Sequence, residues 1–297
     1  MKIAITGSSG FIGTALRKRL DVDGHEIHRI VRHRPQNDLE IGWDPAAHTI
    51  DPSDLEGLDA VIHLAGVGIG DRRWSPERKR ALRDSRVDGT TTISTAFAAI
   101  DNPPTVLLSA SAVGWYGDTG DREVDETASV GDGFLAELCE AWESATQPAQ
   151  AAGARVARFR SGLVLGPGGG IMSRIAPLFR LGLGGKLGSG QQYWPWISLT
   201  DEVEAIRFLL LNDISGPVNL TGPVPVTNAE FTRALGQIMR RPTVLPVPPI
   251  ALRTVLGEFA DEGVLTGQRA VPAVLSKAGF EHAHPTLEAA LRLATGH

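Results

Sequence analysis

An α/β fold built on a doubly wound parallel sheet is what this sequence predicts, and two observations predict it. Short apolar runs that read as buried strands alternate with stretches whose apolar residues recur at helical spacing, and a glycine-rich turn joins the first strand to the first helix. Alternation of this kind favours parallel pairing, because each helix carries the chain back across a face of the sheet.

Taken in order, Lys2–Thr6 is the first strand, ended by Gly7. A helix is expected over 11–20, with Ile12, Ala15, Leu16 and Leu20 on one face and Gly24 as its stop. Residues 25–32 and 59–64 read as strands, the second closed by Ala65 and Gly66. Past a glycine-bearing loop that runs to Trp74, Ser75 is an N-cap, Pro76 takes the first helical position and Glu77 adds a carboxylate to the first turn. That helix is expected to reach about Ala99. Residues 105–109 make the next strand. Asp132 is expected to cap a helix with Phe134, Leu138 and Trp142 at four-residue steps, and 154–159 is a further strand.

After about residue 160 the texture changes to Gly- and Pro-rich loops (166–170, 182–190, 242–249) with helices between them. The expected division is 1–165 for the sheet domain, completed by segments returning near 197–222, and 166–297 for a smaller substrate-side region and C-terminal domain.

Composition excludes several classes. At 42% hydrophobic and 21% charged, the 297 residues have the balance of a globular protein, not a disordered or fibrous one. A net charge of −5 argues against a general nucleic-acid binder, which relies on basic surface. The single cysteine, Cys139, excludes an internal disulfide and lies in a helical stretch, which suggests a buried thiol. No apolar run approaches the roughly 18 residues of a membrane span, and Met1-Lys2 leads straight into a strand without room for a signal peptide. The cytoplasm is the expected compartment.

The most informative segment is Thr6-Gly7-Ser8-Ser9-Gly10-Phe11-Ile12-Gly13, between strand and helix. Gly7 permits a tight turn, Gly10 lets backbone approach a pyrophosphate, and Gly13 lets helix and strand pack closely. Free N–H groups and about half a positive charge at the helix start then hold the phosphates. A Rossmann-type dinucleotide site is therefore expected, gripped by Gly7, Ser9, Gly10, Phe11, Ile12 and Gly13. Discrimination falls at the end of the second strand, where a carboxylate would accept from a ribose 2′-OH and a basic residue would pair with a 2′-phosphate. Arg32 and Arg34 stand there, with no carboxylate before Asp38, so NADP(H) is expected over NAD(H). The competing reading is that both arginines are solvated surface charges.

These motifs resemble those of the extended short-chain dehydrogenase/reductases, the NAD-dependent epimerase/dehydratase group. His63-Leu64-Ala65-Gly66 is similar to the segment that group places beside the cofactor, and Ser109-Ala110-Ser111-Ala112-Val113, with Tyr116-Gly117 beyond, to its strand-end serine motif. Arg160, Gly166 and Pro167 resemble a further segment, and Trp196 to Asp201 a later turn. A finer resemblance, to the SDR39U1-type epimerase-like branch, rests on Gly42-Trp43-Asp44-Pro45, Ser85-Arg86-Val87, Gly114-Trp115-Tyr116-Gly117-Asp118, Phe134-Leu135-Ala136 and Ala278-Gly279-Phe280. It covers essentially the whole chain. It implies bound NADP(H), with Leu64, Ala65, Gly66 and Arg160 among the cofactor contacts, and a small C-terminal domain.

One departure matters. The parent superfamily transfers hydride beside a Tyr-x-x-x-Lys pair, in which a phenol supplies the proton and a nearby ammonium lowers its pKa. The two tyrosines here, Tyr116 and Tyr193, are followed four residues on by Gly120 and Ile197, so the pair is absent. Phe134 and Leu138 are the expected occupants of its positions. Ser111, as a substrate-polarising hydroxyl, and Tyr116, as a proton donor if its pKa were depressed, are the candidate replacements. Against them stand a strand-end hydroxyl bonded to backbone and a packed loop aromatic.

Other groups read more plainly. Trp43 and Asp44 either frame an adenine or anchor a turn. Arg72, Arg73, Arg83 and Arg86 either meet an anionic substrate or solvate a helix face, and Trp194 and Trp196 wall a pocket or a core. His25, His28, His282 and His284 lack the cysteine or carboxylate neighbours of a metal site, so no metal is assigned. The expectation is an NADP(H)-binding oxidoreductase or epimerase-like enzyme acting on a small molecule of unknown identity with non-standard acid/base groups. The alternative is a non-catalytic NADP(H)-binding sensor or scaffold. Neither a nucleic acid nor a membrane is expected as partner, and oligomeric state is unassigned.

Overall fold

The computed structural model describes residues 1–296. Strands β1 (Lys2–Thr6), β2 (Glu26–Val31), β3 (Glu40–Asp44), β4 (Thr49–Ile50), β5 (Ala60–His63), β6 (Val106–Ala112), β7 (Arg155–Ser161) and β8 (Gly216–Leu220) form one sheet in the order β8-β7-β6-β5-β1-β2-β3-β4. Every pairing is parallel except β3 with β4. The chain runs outward from β1 through β2 and then returns to β5 on its other side, so a crevice opens at the C-terminal ends of β1, β2 and β5.

Alternation along the strands covers both faces. Ile3, Ile5, Ile62, Leu108 and Phe159 pack on one side against α1 (Phe11–Val22) and α4 (Leu199–Leu211). Their neighbours Ala4, Val61, Leu107 and Val156 pack on the other against α2 (Pro76–Phe97). The Ser75 hydroxyl accepts from the Arg78 N–H at 3.2 Å, the cap the sequence predicts. A third core joins α5 (Asn228–Met239) and α6 (Leu287–Thr295) through Phe231, Leu235, Leu287 and Leu291, with Trp194 and Trp196 inside it.

Four differences from the sequence-based expectation bear on function. The strand expected over 105–109 continues to Ala112, because β7 pairs with it as far as Ala112 opposite Ser161. Of the returning segments, 216–220 joins the main sheet, whereas Trp196–Ser198 pairs separately with Leu163–Leu165. Helix α3 (Phe134–Ser144) is not capped by Asp132: it starts after Gly133, which at φ 100° turns the chain sharply and brings no side-chain cap. The Leu135 N–H instead donates to Glu262 at 3.3 Å, from the C-terminal region. Strands β3 and β4, carrying Trp43, were not expected at all.

Candidate functional site

The crevice at the switch point encloses about 840 Å³. Its floor is the turn Gly7–Gly10. Gly7 sits at φ +62°, and a Cβ there would lie 2.9 Å from the Ala65 nitrogen; a Cβ on Gly13 would collide with the Gly7 carbonyl. Both glycines therefore serve the packing of turn, helix and β5. Gly10, the N-cap of α1, brings no side-chain cap, and the first turn carries no carboxylate. Those amides are left free to meet an anion. Thr6 ties the floor to the next turn: its Oγ1 accepts from the Leu64 and Ala65 N–H groups at 3.0 and 3.1 Å and lies 2.8 Å from His63 Nδ1. Buried and without an acidic neighbour, His63 is held down to about 4 and stays neutral. Since the Thr6 oxygen already accepts from two N–H groups, its hydroxyl proton is the one left to donate to His63 Nδ1.

Most residues expected to bind the cofactor come together here. Gly7, Ser9, Gly10, Arg32, Leu64, Ala65 and Gly66 line the crevice. The side chains of Phe11 and Ile12 turn away, Phe11 against the Gly166–Gly170 loop and Ile12 against the sheet core, while their backbone N–H groups belong to the uncapped first turn of α1. At the far end Arg29 and His33 line the crevice beside Arg32, while Arg34 is exposed outside it. Arg29 is braced by Glu40 at 3.2 Å, whereas Arg32 has no ion-pair partner among the described residues. Sequence reasoning missed Arg29 because it sits inside a strand, on the face that looks over the glycine turn. Trp43 closes this end, edge-on to His63 at 5.9 Å. Asp44 accepts from the Ala46 and Ala47 N–H groups and only shapes the turn.

The region at the C-terminal tip of β6, outside the lining of the crevice, departs from expectation. Arg160 does not reach the crevice. It is buried and forms a two-pronged pair with Glu143, at 2.7 and 2.9 Å, and donates to the Tyr116 hydroxyl at 3.0 Å. The Ser111 hydroxyl is committed to the same carboxylate at 2.7 Å. Tyr116 donates to Asn219 Oδ1 at 2.7 Å and is only 2% exposed. Burial pushes its phenol up to about 12, against the partial relief that Arg160 supplies. A proton donor needs the opposite shift, so the condition set for Tyr116 fails. The cause is topological, since β6 and β7 set Ser111 directly opposite Arg160 in register.

Helix α3 corrects a second assignment. Leu138 and Phe134 pack with Trp74 away from the strand tip. The residues that face the tip are Leu135, whose Cβ stands 3.4 Å from where a Gly114 Cβ would be, and Cys139, whose Sγ lies 3.7 Å from the Ala112 carbonyl. They are four apart on one face, the spacing of the missing pair. Burial pushes the Cys139 thiol up to about 12, so it stays protonated. Next to Leu135 a polar cavity of about 320 Å³ is walled by Gly114, Asp118, Arg122, Asp132, Glu262 and Gln268. Glu262 had no signal in the sequence, because only the folded C-terminal region brings it to α3.

Of the remaining arginines, Arg73 donates to the Thr254 carbonyl at 2.9 Å and Arg72 and Arg83 are exposed, while Arg86 is buried. His282 and His284 contact the Thr221 carbonyl and Ser198 Oγ. No helix among the described residues is long and apolar enough to cross a membrane.

Known proteins resemble the chain throughout. The model of the NAD dependent epimerase/dehydratase family matches residues 3–220, and that of a domain of unknown function, DUF1731, matches 247–294. An epimerase family protein of Mycobacterium bovis is 53% identical over 294 residues, covering 99% of this chain and 97% of the relative. Human epimerase family protein SDR39U1, solved with NADPH, superposes with a TM-score of 0.92 at 33% identity over 100% of both chains. The Thermus thermophilus UDP-glucose 4-epimerase complexed with NAD shares the fold, with a TM-score of 0.80 at 20% identity over 100% of this chain and 98% of that one.

Proposed function

The chain belongs to the NAD-dependent epimerase/dehydratase family, and on that premise we propose that it binds NADP(H) and acts as an oxidoreductase or epimerase-like enzyme on a small molecule. The observation that carries this reading is the crevice itself. It has uncapped amides at its floor and Arg29, Arg32 and His33 at one end, while the nearby carboxylates are engaged, Glu40 by Arg29 and Asp71, on the crevice wall, by Arg174. Such a set suits a pyrophosphate and a 2′-phosphate. The SDR39U1 structure solved with NADPH supports the same choice. A cytoplasmic setting is part of the proposal, supported by the single, buried cysteine.

When bound, the cofactor supplies a hydride at its nicotinamide ring. The chain must position the substrate, exclude water and exchange one proton. Ser111 and Tyr116 are committed to the Glu143–Arg160 network, so the group we nominate for the proton is Glu262. Its carboxylate faces the polar cavity beside Leu135, where the absent tyrosine would stand. Hydride transfer from stereospecifically deuterated NADPH, followed across a panel of aldehydes, ketones and nucleotide sugars, tests the proposal. Label should appear in a reduced product, and Glu262→Gln should remove at least about tenfold of the rate.

A second reading, a non-catalytic NADP(H)-binding sensor or scaffold, is favoured by one observation: apolar Leu135 and a protonated Cys139 fill the face of α3 that turns to the strand tip. Silence across the whole panel with tight NADPH binding retained would select it.

A further inference from the structure

Exposed leucines and valines gather on one face of the substrate-side region. Leu178, Leu181 and Leu183, at the end of the helix Met172–Arg180 and just past it, are 49%, 73% and 58% exposed. Val244 and Leu245 are 80% and 64% exposed. The two segments are stitched together: Gly185 bridges Val244, Leu187 bridges Val247, and the Leu245 carbonyl presses on Gly185 where a Cβ would stand. These residues therefore sit together. Single exposed apolar side chains are ordinary, but a cluster of them marks an interaction surface.

Charge says what kind of partner it meets. The chain carries a net −5, yet residues 172–190 and 231–257, which build this face, contain no aspartate or glutamate. Arg180, Lys186, Arg240 and Arg241 are exposed, and none has an ion-pair partner among the described residues. Arg241 Nε donates to the Arg180 carbonyl at 2.8 Å, so two unpaired cationic residues adjoin. Arg240 ends α5 at φ +54°, a left-handed position that helix ends ordinarily give to glycine. Like charges held together without counterions suit an anionic partner. The apolar fissure behind them, lined by Ile175, Leu178, Phe179, Leu183 and Val247, encloses only about 60 Å³. That is too little for the aromatic side chains that anchor protein partners. A bilayer needs no such fit, since aliphatic side chains enter the headgroup–acyl boundary while basic residues meet anionic headgroups.

We propose that this face docks the protein on anionic membrane surfaces, its leucines entering the interface and its arginines meeting the phosphate headgroups. The expectation of no membrane partner rested on the lack of a long apolar run, a criterion that a patch built from two separate segments escapes. None of the residues around the fissure lines the cofactor crevice, so docking needs no nucleotide and stands apart from the NADP(H) reading.

The test is co-sedimentation of the full chain with vesicles of phosphatidylcholine alone and of an equimolar mixture with phosphatidylglycerol. Wild-type protein should bind the anionic vesicles about tenfold or more tightly than the neutral ones, and salt should release it. The Arg180→Gln, Arg241→Gln double variant should bind the anionic vesicles about tenfold or more weakly, the value of two charges at the surface. The Leu181→Gln, Leu245→Gln double variant should lose about as much through its apolar contacts. Both should melt within about 2 °C of wild type, since all four side chains are exposed. Absence of binding to the anionic vesicles overturns the proposal, and so does equal binding to both compositions. Folded double variants that bind like wild type overturn it too. A concentration-dependent dimer in sedimentation velocity that the leucine substitutions dissolve would give the face to a second copy of the chain, and the membrane assignment would fall.

Discussion

The crevice at the glycine turn and the neighbouring region beyond β6 are built by different means. The crevice floor is backbone: the turn Gly7–Gly10 and the uncapped first-turn amides of α1, close together in the sequence. The region beyond β6, outside that lining, is side chain, assembled from α3 and the C-terminal region, whose contributions are Leu135, Cys139 and Glu262. A phosphate grip depends on local chain geometry and tolerates almost any surrounding sequence. A reaction centre depends on which remote side chains meet, and so it can be rebuilt while the fold stays put.

The sharpest way to break this contrast is to attack the buried network beneath the β6 tip. Arg160→Met leaves Glu143 charged, buried and unpaired, and should cost about 3–5 kcal/mol in urea unfolding. A loss under about 1 kcal/mol would mean that the network does not hold the tip. Next in size is Glu202 on α4, whose Oε1 accepts from Ser161 at 2.6 Å while Oε2 has no partner. Burial raises its carboxyl from 4.5 to about 8. Between those values the native state keeps a proton that the unfolded chain releases, so stability falls as pH rises from about 4.5 to 8 and levels off above. Glu202→Gln should remove that slope and stabilise the protein by roughly 4 kcal/mol at pH 8 relative to its effect at pH 4.5. An unchanged slope in pH-dependent melting would show that the carboxyl is not the source.

At the opposite end, Arg32→Ala should weaken NADPH by about 10- to 100-fold, the value of a charged hydrogen-bonded contact, and leave NADH unchanged. Equal effects on both cofactors would place the 2′-phosphate elsewhere. The smallest effect is Tyr116→Phe. Removing one buried hydroxyl should cost about 1–2 kcal/mol of stability while NADPH affinity and any turnover persist. Lost turnover with the fold intact would restore Tyr116 as the proton donor.

The same contrast explains what could be read from the chain before it was folded. β1, the glycine turn, α1 and α2 with its Ser75 cap follow from local chemistry, and the structure has them at or within two residues of the expected limits. Strands β3 and β4 were missed because Glu40–Asp44 is short and Thr49–Ile50 shorter, and pairing with β2 is what makes them strands. Arg160 and Ser111 carried a motif but not their roles, since strand register decides which residue sits opposite Arg160. Glu262 gave no signal, being separated from Leu135 by 127 positions in sequence and joined to it only by the fold.

The central claim is that the amides at the start of α1 and the arginines beyond β2 hold NADP(H). Calorimetric titration of the purified wild-type chain with NADPH and NADH reads it directly. The account predicts one NADPH per chain, bound at least about tenfold more tightly than NADH. No uptake of either nucleotide, or a preference for NADH, would contradict it.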